Sequence, residues 1–286
     1  MEPIGLIGLG NMGLPVVGRL RGVGREVIAF DTSAARLAQA AESGARPTGS
    51  AAEVAGACDI VVLSLPTPAV VRQVVPELVR SAVERFCIVD LSTNDPTTSR
   101  DMAQVVAKAG GSYVDAPVSG GPSRAATGEL SVMVGGDDEA VARVRPLLSQ
   151  IGKQVEHVGP PGCGCIVKLL NNYVALWNMA GVSQAFLAGS ALGISLDRLY
   201  DVMNRSSGQS YSLSRNFPKI RAKDFSSNFA LDLAAKDLRL ALDLMTQAGL
   251  NAFAKDELRE LFAASVRAGG ARDVAAIYET LAEKEA

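Results

Sequence analysis

Apolar positions along this chain follow two different rules. Up to about residue 160 they gather in short runs, and each run is followed by a stretch with helical spacing. Ile4-Gly5-Leu6-Ile7, Val27-Ile28-Ala29-Phe30 and residues 59–65, 87–91, 112–116, 130–134 and 154–158 read as strands. Leu14 to Gly22, Ala34 to Ser43, Ala69 to Glu84 and Pro96 to Ala109 read as helices between them. That alternation predicts a mostly parallel, doubly wound α/β sheet with helices on both faces. From Cys165 onward the spacing is helical, with segments near 165–192, 196–204, 209–222, 230–248, 254–268 and 273–284. Gly159-Pro160-Pro161-Gly162 is the clearest breaker between the two regimes. The expected organisation is an α/β domain over 1–161 and an all-helical domain over 162–286, joined by a long helix.

The first strand runs directly into Gly8-Leu9-Gly10-Asn11-Met12-Gly13, and the second ends on Asp31. Gly8 permits a tight turn, Gly10 lets the backbone approach a pyrophosphate, and Gly13 lets the next helix pack close. The helix N-terminus then offers unpaired N–H groups and a partial positive charge to phosphates. Asp31, eighteen residues past Gly13, would accept hydrogen bonds from ribose hydroxyls and repel a 2′-phosphate. The pattern is that of a Rossmann dinucleotide-binding domain. It favours NAD, with NADP possible but less favoured.

Composition narrows the partners. The chain has 286 residues and a formal charge of −2, which leaves no basic field for nucleic acid. Its N-terminus enters the first strand at once, so no signal or transit peptide is expected and the location is read as cytoplasmic. Cys58, Cys87, Cys163 and Cys165 are irregularly placed and read as reduced thiols. Cys163-Gly164-Cys165 has no second ligand pair, so no metal is expected. Leu169 to Leu196 carries no charge, but Asn171, Asn172, Asn178, Ser183, Gln184 and Ser190 would need partners in lipid. A helix buried between domains or subunits accounts for the run without a membrane, and suggests a homodimer or homotetramer.

Only one histidine, His157, is present, on a strand just before the breaker, where a structural role is the ordinary one. A dehydrogenase built on this chain would therefore move its proton through another group. Lys168 is the natural candidate, being the last charged residue before the uncharged run. Asn172, four residues on, shares its helix face, and the two could hold one oxygen and exchange a proton with it. The alternative is a lysine snorkelling at a helix end.

Four separated motifs resemble the β-hydroxyacid dehydrogenases, a family that includes 3-hydroxyisobutyrate dehydrogenase and tartronate semialdehyde reductase. They are Gly8 to Gly13; Asp115-Ala116-Pro117-Val118-Ser119-Gly120-Gly121 with Gly128 and Leu130; Gly162 to Asn172; and Lys236-Asp237-Leu238. The resemblance covers essentially the whole chain and places Lys168 at the family's essential lysine. It implies that Ser119, Gly120 and Gly121 form an anion cradle for a small carboxylate. Thr93 would lie beside nicotinamide and substrate, and Leu65 and Pro66 would form a backbone edge under the cofactor. Lys236 would approach the cofactor from the second domain. Arg124 departs from the family's frequent glycine and would either contact a more acidic or polar substrate or point to solvent.

The resemblance implies an NAD(P)-dependent enzyme, NAD preferred, acting on a small anionic hydroxyacid or semialdehyde. Candidates are 3-hydroxyisobutyrate, tartronate semialdehyde or glycerate, and serine. Sulfonate analogues such as sulfolactaldehyde are an alternative, since the same cradle would accept them. A non-catalytic NAD-binding scaffold is the reading from a different class.

Overall fold

The computed structural model describes residues 2–285. Its first part runs β1 (Ile4–Ile7), α1 (Gly13–Gly22), β2 (Val27–Phe30), α2 (Ala34–Glu42), β3 (Arg46–Pro47), α3 (Ala51–Ala57), β4 (Ile60–Leu63) and α4 (Pro68–Ser81). It continues with β5 (Cys87–Asp90), α5 (Pro96–Lys108), β6 (Ser112–Asp115), β7 (Val118–Ser119), α6 (Gly121–Thr127), β8 (Leu130–Gly135), α7 (Asp138–Ile151) and β9 (Gly152–Gly159). The strands form one sheet in the order β3-β2-β1-β4-β5-β6-β8-β7, with β9 paired to β8. Neighbours from β3 through β6 are parallel, β8 runs antiparallel to β6 and β7, and β9 is parallel to β8.

Every residue of β1 and β5 is buried, which is why these strands read as unbroken apolar runs rather than alternating ones. One face of the sheet packs Val16, Val17 and Leu20 of α1 with Leu148 of α7; the other packs Val54, Val71, Val75 and Val106. The chain leaves β1 toward β2 and returns to β4 on the other side. This opens the crevice at the strand C-termini where ligands bind in such sheets.

The remainder is helical: α8 (Cys163–Ala191), α9 (Leu196–Met203), α10 (Tyr211–Ala222), α11 (Leu231–Gln247), α12 (Lys255–Gly269), a 3₁₀ turn (Val274–Ala276) and α13 (Ile277–Glu285). The chain divides into two compact units after Lys168, inside α8. The core of the helical unit includes Phe186, Leu213, Phe217, Phe262 and Ile277, with Tyr200 stacked on Phe217 at 3.9 Å between ring centroids. Asp273 is fully buried there. It accepts hydrogen bonds from the N–H groups of Asn228, Phe229 and Ala275 and pairs with Arg215 at 3.3 Å.

The expected α/β-then-helical architecture is present, with additions. Helices α3, α6 and α7 and the short strands β3 and β7 lie where the sequence reading placed no element. Helix α3 is alanine-rich and offers little apolar contrast. No helix among the described residues is long and apolar enough to cross a membrane.

Candidate active site

The dinucleotide turn is built by steric necessity. Gly8 has φ +92°, and a Cβ there would lie 2.3 Å from the Ser64 carbonyl oxygen. A Cβ on Gly13 would lie 1.9 Å from the Gly8 carbonyl oxygen, so helix and turn close on each other only through glycine. Gly10 is different: no protein atom lies within 4 Å of its Cβ position, which leaves its open face to a ligand. The N-terminus of α1 has neither a capping side chain nor an acidic residue in its first turn. Asp31 follows β2 and accepts from Leu9 N–H (2.6 Å) and Ser33 N–H (2.8 Å), which fixes its carboxylate at the turn. Its remaining lone pairs suit ribose hydroxyls. These residues fit a dinucleotide. Arg36 of α2, not singled out from sequence, donates to Asn11 Oδ1 at 3.4 Å and brings a guanidinium to the same turn.

The strand ends beside the turn are tied together from below. Ser92 Oγ accepts from Leu65 N–H at 2.8 Å, and Ser92 N–H donates to Asp90 Oδ1 at 2.8 Å. Asn94 Nδ2 and Tyr113 O–H donate to Asp90 Oδ2 at 2.8 and 2.7 Å. Burial raises the Asp90 carboxyl above its ordinary value, against the pull of these donors. Leu65, half-buried Thr93 and exposed Pro66 thus sit on a cross-linked edge formed by β4 and β5.

Ser119 ends β7, opposite Ser131 of β8. Gly120 and Gly121 follow with φ +132° and +75°, in the left-handed region. The Gly121 Cβ position is open, whereas the stem of Arg124 lies against Gly120, with Cδ 2.9 Å from its Cβ position. Arg124 itself is exposed.

Asp115, at the end of β6, meets the start of α8. Gly162 N–H donates to its Oδ1 at 2.7 Å and Cys165 N–H to its Oδ2 at 2.9 Å. Lys168 lies one turn further along α8 and is only 8% exposed. His157 stands apart from this chemistry. Its Nε2 faces the carbonyl oxygens of Gly136 and Gly159, and its Nδ1 is 3.5 Å from Asp138 Oδ1.

In the helical unit, Asn172 of α8 is buried and its Nδ2 donates to Asp237 Oδ2 at 2.7 Å. Lys236 Nζ lies 3.0 Å from Asp237 Oδ1, an ion pair without hydrogen-bond geometry. One buried carboxylate therefore gathers Asn172 and Lys236. The sequence reading quoted Asp237 within a motif but gave it no role. The signal for it was a charged residue at a core-facing position of α11.

Residues 3–159 match the family model described as the NAD binding domain of 6-phosphogluconate dehydrogenase. Residues 162–281 match the one described as NAD-binding of NADP-dependent 3-hydroxyisobutyrate dehydrogenase. A 2-(hydroxymethyl)glutarate dehydrogenase of Eubacterium barkeri is 40% identical over 84% of this chain and 81% of its own. An NAD-dependent L-serine dehydrogenase of Pseudomonas aeruginosa is 34% identical over 84% of each chain. The solved structure of Mycobacterium tuberculosis 3-hydroxyisobutyrate dehydrogenase with L-serine superposes with a TM-score of 0.90 at 32% identity, covering 98% of this chain and 99% of that one.

Proposed function

The chain belongs to the β-hydroxyacid dehydrogenase family, and from that premise we propose that it is an NAD-dependent dehydrogenase of a short 3-hydroxy carboxylate with Lys168 as acid/base. The observation that carries this reading is the burial of Lys168 and Asn172, one helical turn apart on α8. When bound, the nicotinamide supplies the hydride acceptor in oxidation and the donor in reduction. In the oxidative direction, neutral Lys168 takes the proton from the substrate hydroxyl as the C–H bond breaks; in the reductive direction, its ammonium returns a proton to the carbonyl oxygen. Asn172 Nδ2 carries two hydrogens, and Asp237 takes one of them. The other is directed to the reacting oxygen.

Ser119, Gly120 and Gly121 are proposed to hold the substrate carboxylate, with Thr93 beside it and Arg124 reaching a second polar group. The turn from Gly8 to Gly13, with Leu9, Asn11, Met12, Asp31, Leu65 and Pro66, is proposed to hold the cofactor. Lys236 is assigned to the cofactor by the family motif. 3-Hydroxyisobutyrate, serine and 2-(hydroxymethyl)glutarate share a primary alcohol β to a carboxylate, which supports that substrate class. The uncharged exposed face of α8, with Val174 55% exposed, supports a homodimer or homotetramer; a monomeric mass by light scattering would contradict it.

The test is NADH formation at alkaline pH over a panel of these acids and of glycerate, with a sulfonate analogue beside them. Turnover on a carboxylate with NAD above NADP supports the reading. Turnover on the sulfonate alone, or NAD binding with no turnover at all, refutes it.

A further inference from the structure

We propose that Asp115 is a positioning residue for catalysis: its carboxylate fixes the first turn of α8, and through it Lys168, to the strand end from which the substrate segment departs. The proposal rests on the assignment of Lys168 as acid/base.

The geometry is that of a fitted clamp. Each carboxylate oxygen takes one main-chain N–H, from Gly162 at 2.7 Å and from Cys165 at 2.9 Å. Cys163 N–H is met separately by the Pro160 carbonyl oxygen at 3.0 Å. Room for the carboxylate exists because glycines surround it. A Cβ at Gly135 of β8 would lie 2.5 Å from Asp115 Oδ1. A Cβ at Gly164 of α8 would lie 2.4 Å from the Met133 carbonyl oxygen and 2.9 Å from Asp115 Oδ2. Gly162, at φ +93°, turns the chain so that its N–H faces the carboxylate. The glycines of Gly162-Cys163-Gly164 thus admit a helix end onto a buried acid.

The placement matters because Asp115 heads the segment that leads to Ser119 and Gly121. A bare carboxylate so near a proposed anion cradle would repel the substrate. Here its charge is spent on the N–H groups and partial positive charge of a 29-residue helix. Lys168 follows Cys165 by three residues on that helix, so the clamp sets both its height and its rotation.

Protonation would weaken the clamp. Burial raises the Asp115 carboxyl to about 6, opposed by hydrogen bonds from Gly162 and Cys165. The titratable groups facing it are the Cys165 thiol on α8, Tyr113 on its own strand and Asp90, its register partner on β5; β8 presents Gly135 and the Met133 carbonyl oxygen there. Arg100 of α5 passes beside Gly162.

Two readouts decide the matter. In the wild-type enzyme, amide hydrogen exchange at Gly162 and Cys165, corrected for intrinsic rate, is expected to be protected at pH 7.5 and at least tenfold less so at pH 5. Equal protection at both would overturn the proposal, and this readout needs neither substrate nor a mutant. Asp115→Asn, assayed with the best acid of the panel, is expected to lose at least tenfold in kcat while the KM for NAD stays within twofold. In the reductive direction, where Lys168 must be protonated, it should also lose the acid limb near pH 6. An unchanged kcat, or kcat, NAD KM and thermal midpoint failing together, would overturn the proposal. Retained turnover in Lys168→Ala would instead strike the lysine assignment and leave the exchange result standing.

Discussion

In the α/β unit, the groups proposed to hold the cofactor are mostly main-chain atoms, placed by glycines at Gly8 and Gly13 and by strand ends. In the helical unit, Asn172 and Lys236 are side chains gathered by a single buried carboxylate, Asp237. The first arrangement is steric and tolerates almost no added atom. The second is electrostatic, tolerates changes of shape, and fails when one charge is removed. The two arrangements should therefore break in two distinguishable ways.

The largest contrast lies within the turn itself. Gly13→Ala sets a Cβ against the Gly8 carbonyl, so NAD affinity is expected to fall by about 100-fold or more with a clear loss of thermal stability. Gly10→Ala meets no protein atom and should keep the thermal midpoint while weakening NAD alone, by titration and melting. Equal melting losses in both variants would break the steric account. Next comes Asp237→Ala, which removes the ion pair with Lys236 and the acceptor of Asn172 Nδ2. A fall in kcat of about 10- to 100-fold with helical content retained is expected, the scale seen when a supporting shell is removed. An unchanged kcat would sever the helical unit from the chemistry.

The smallest effect concerns pH and stability. The folded Asp115 value of about 6 lies above the ordinary 3.8, so the folded state holds this proton more tightly than the unfolded chain. Its stabilising contribution is fully present below about pH 4 and is lost as pH rises through about 6. Acidification from pH 7 to 4 should therefore raise wild-type stability relative to Asp115→Asn, by at most about 3 kcal/mol or a few degrees. Calorimetry of the pair at both pH values checks the sign. The enzyme would then lose turnover on the acid side while this group favours folding.

Much of the α/β unit was legible because its motif residues obey backbone geometry. Gly8 and Gly13 could be assigned from spacing alone, since no other residue fits where the chain folds back on itself. Lys168 was offered by its position before an uncharged run together with the family resemblance, and the structure adds that it is buried. Asp115 and Asp237 were not given roles, because a carboxylate in a motif does not say which N–H group it meets. Gly162 and Gly164 likewise read as a turn, and only the packing of Gly164 against Met133 and Asp115 shows what they admit. Strand β7 was hidden by its length of two residues.

In the proposed reaction Lys168 carries the proton. Its most direct test is turnover of Lys168→Ala beside wild type on the best acid of the panel, with NAD affinity measured separately and methylamine added as an external base. A loss of about 10²- to 10⁴-fold in kcat is expected, with NAD binding kept and partial rescue by the amine. Turnover within a few-fold of wild type would contradict it.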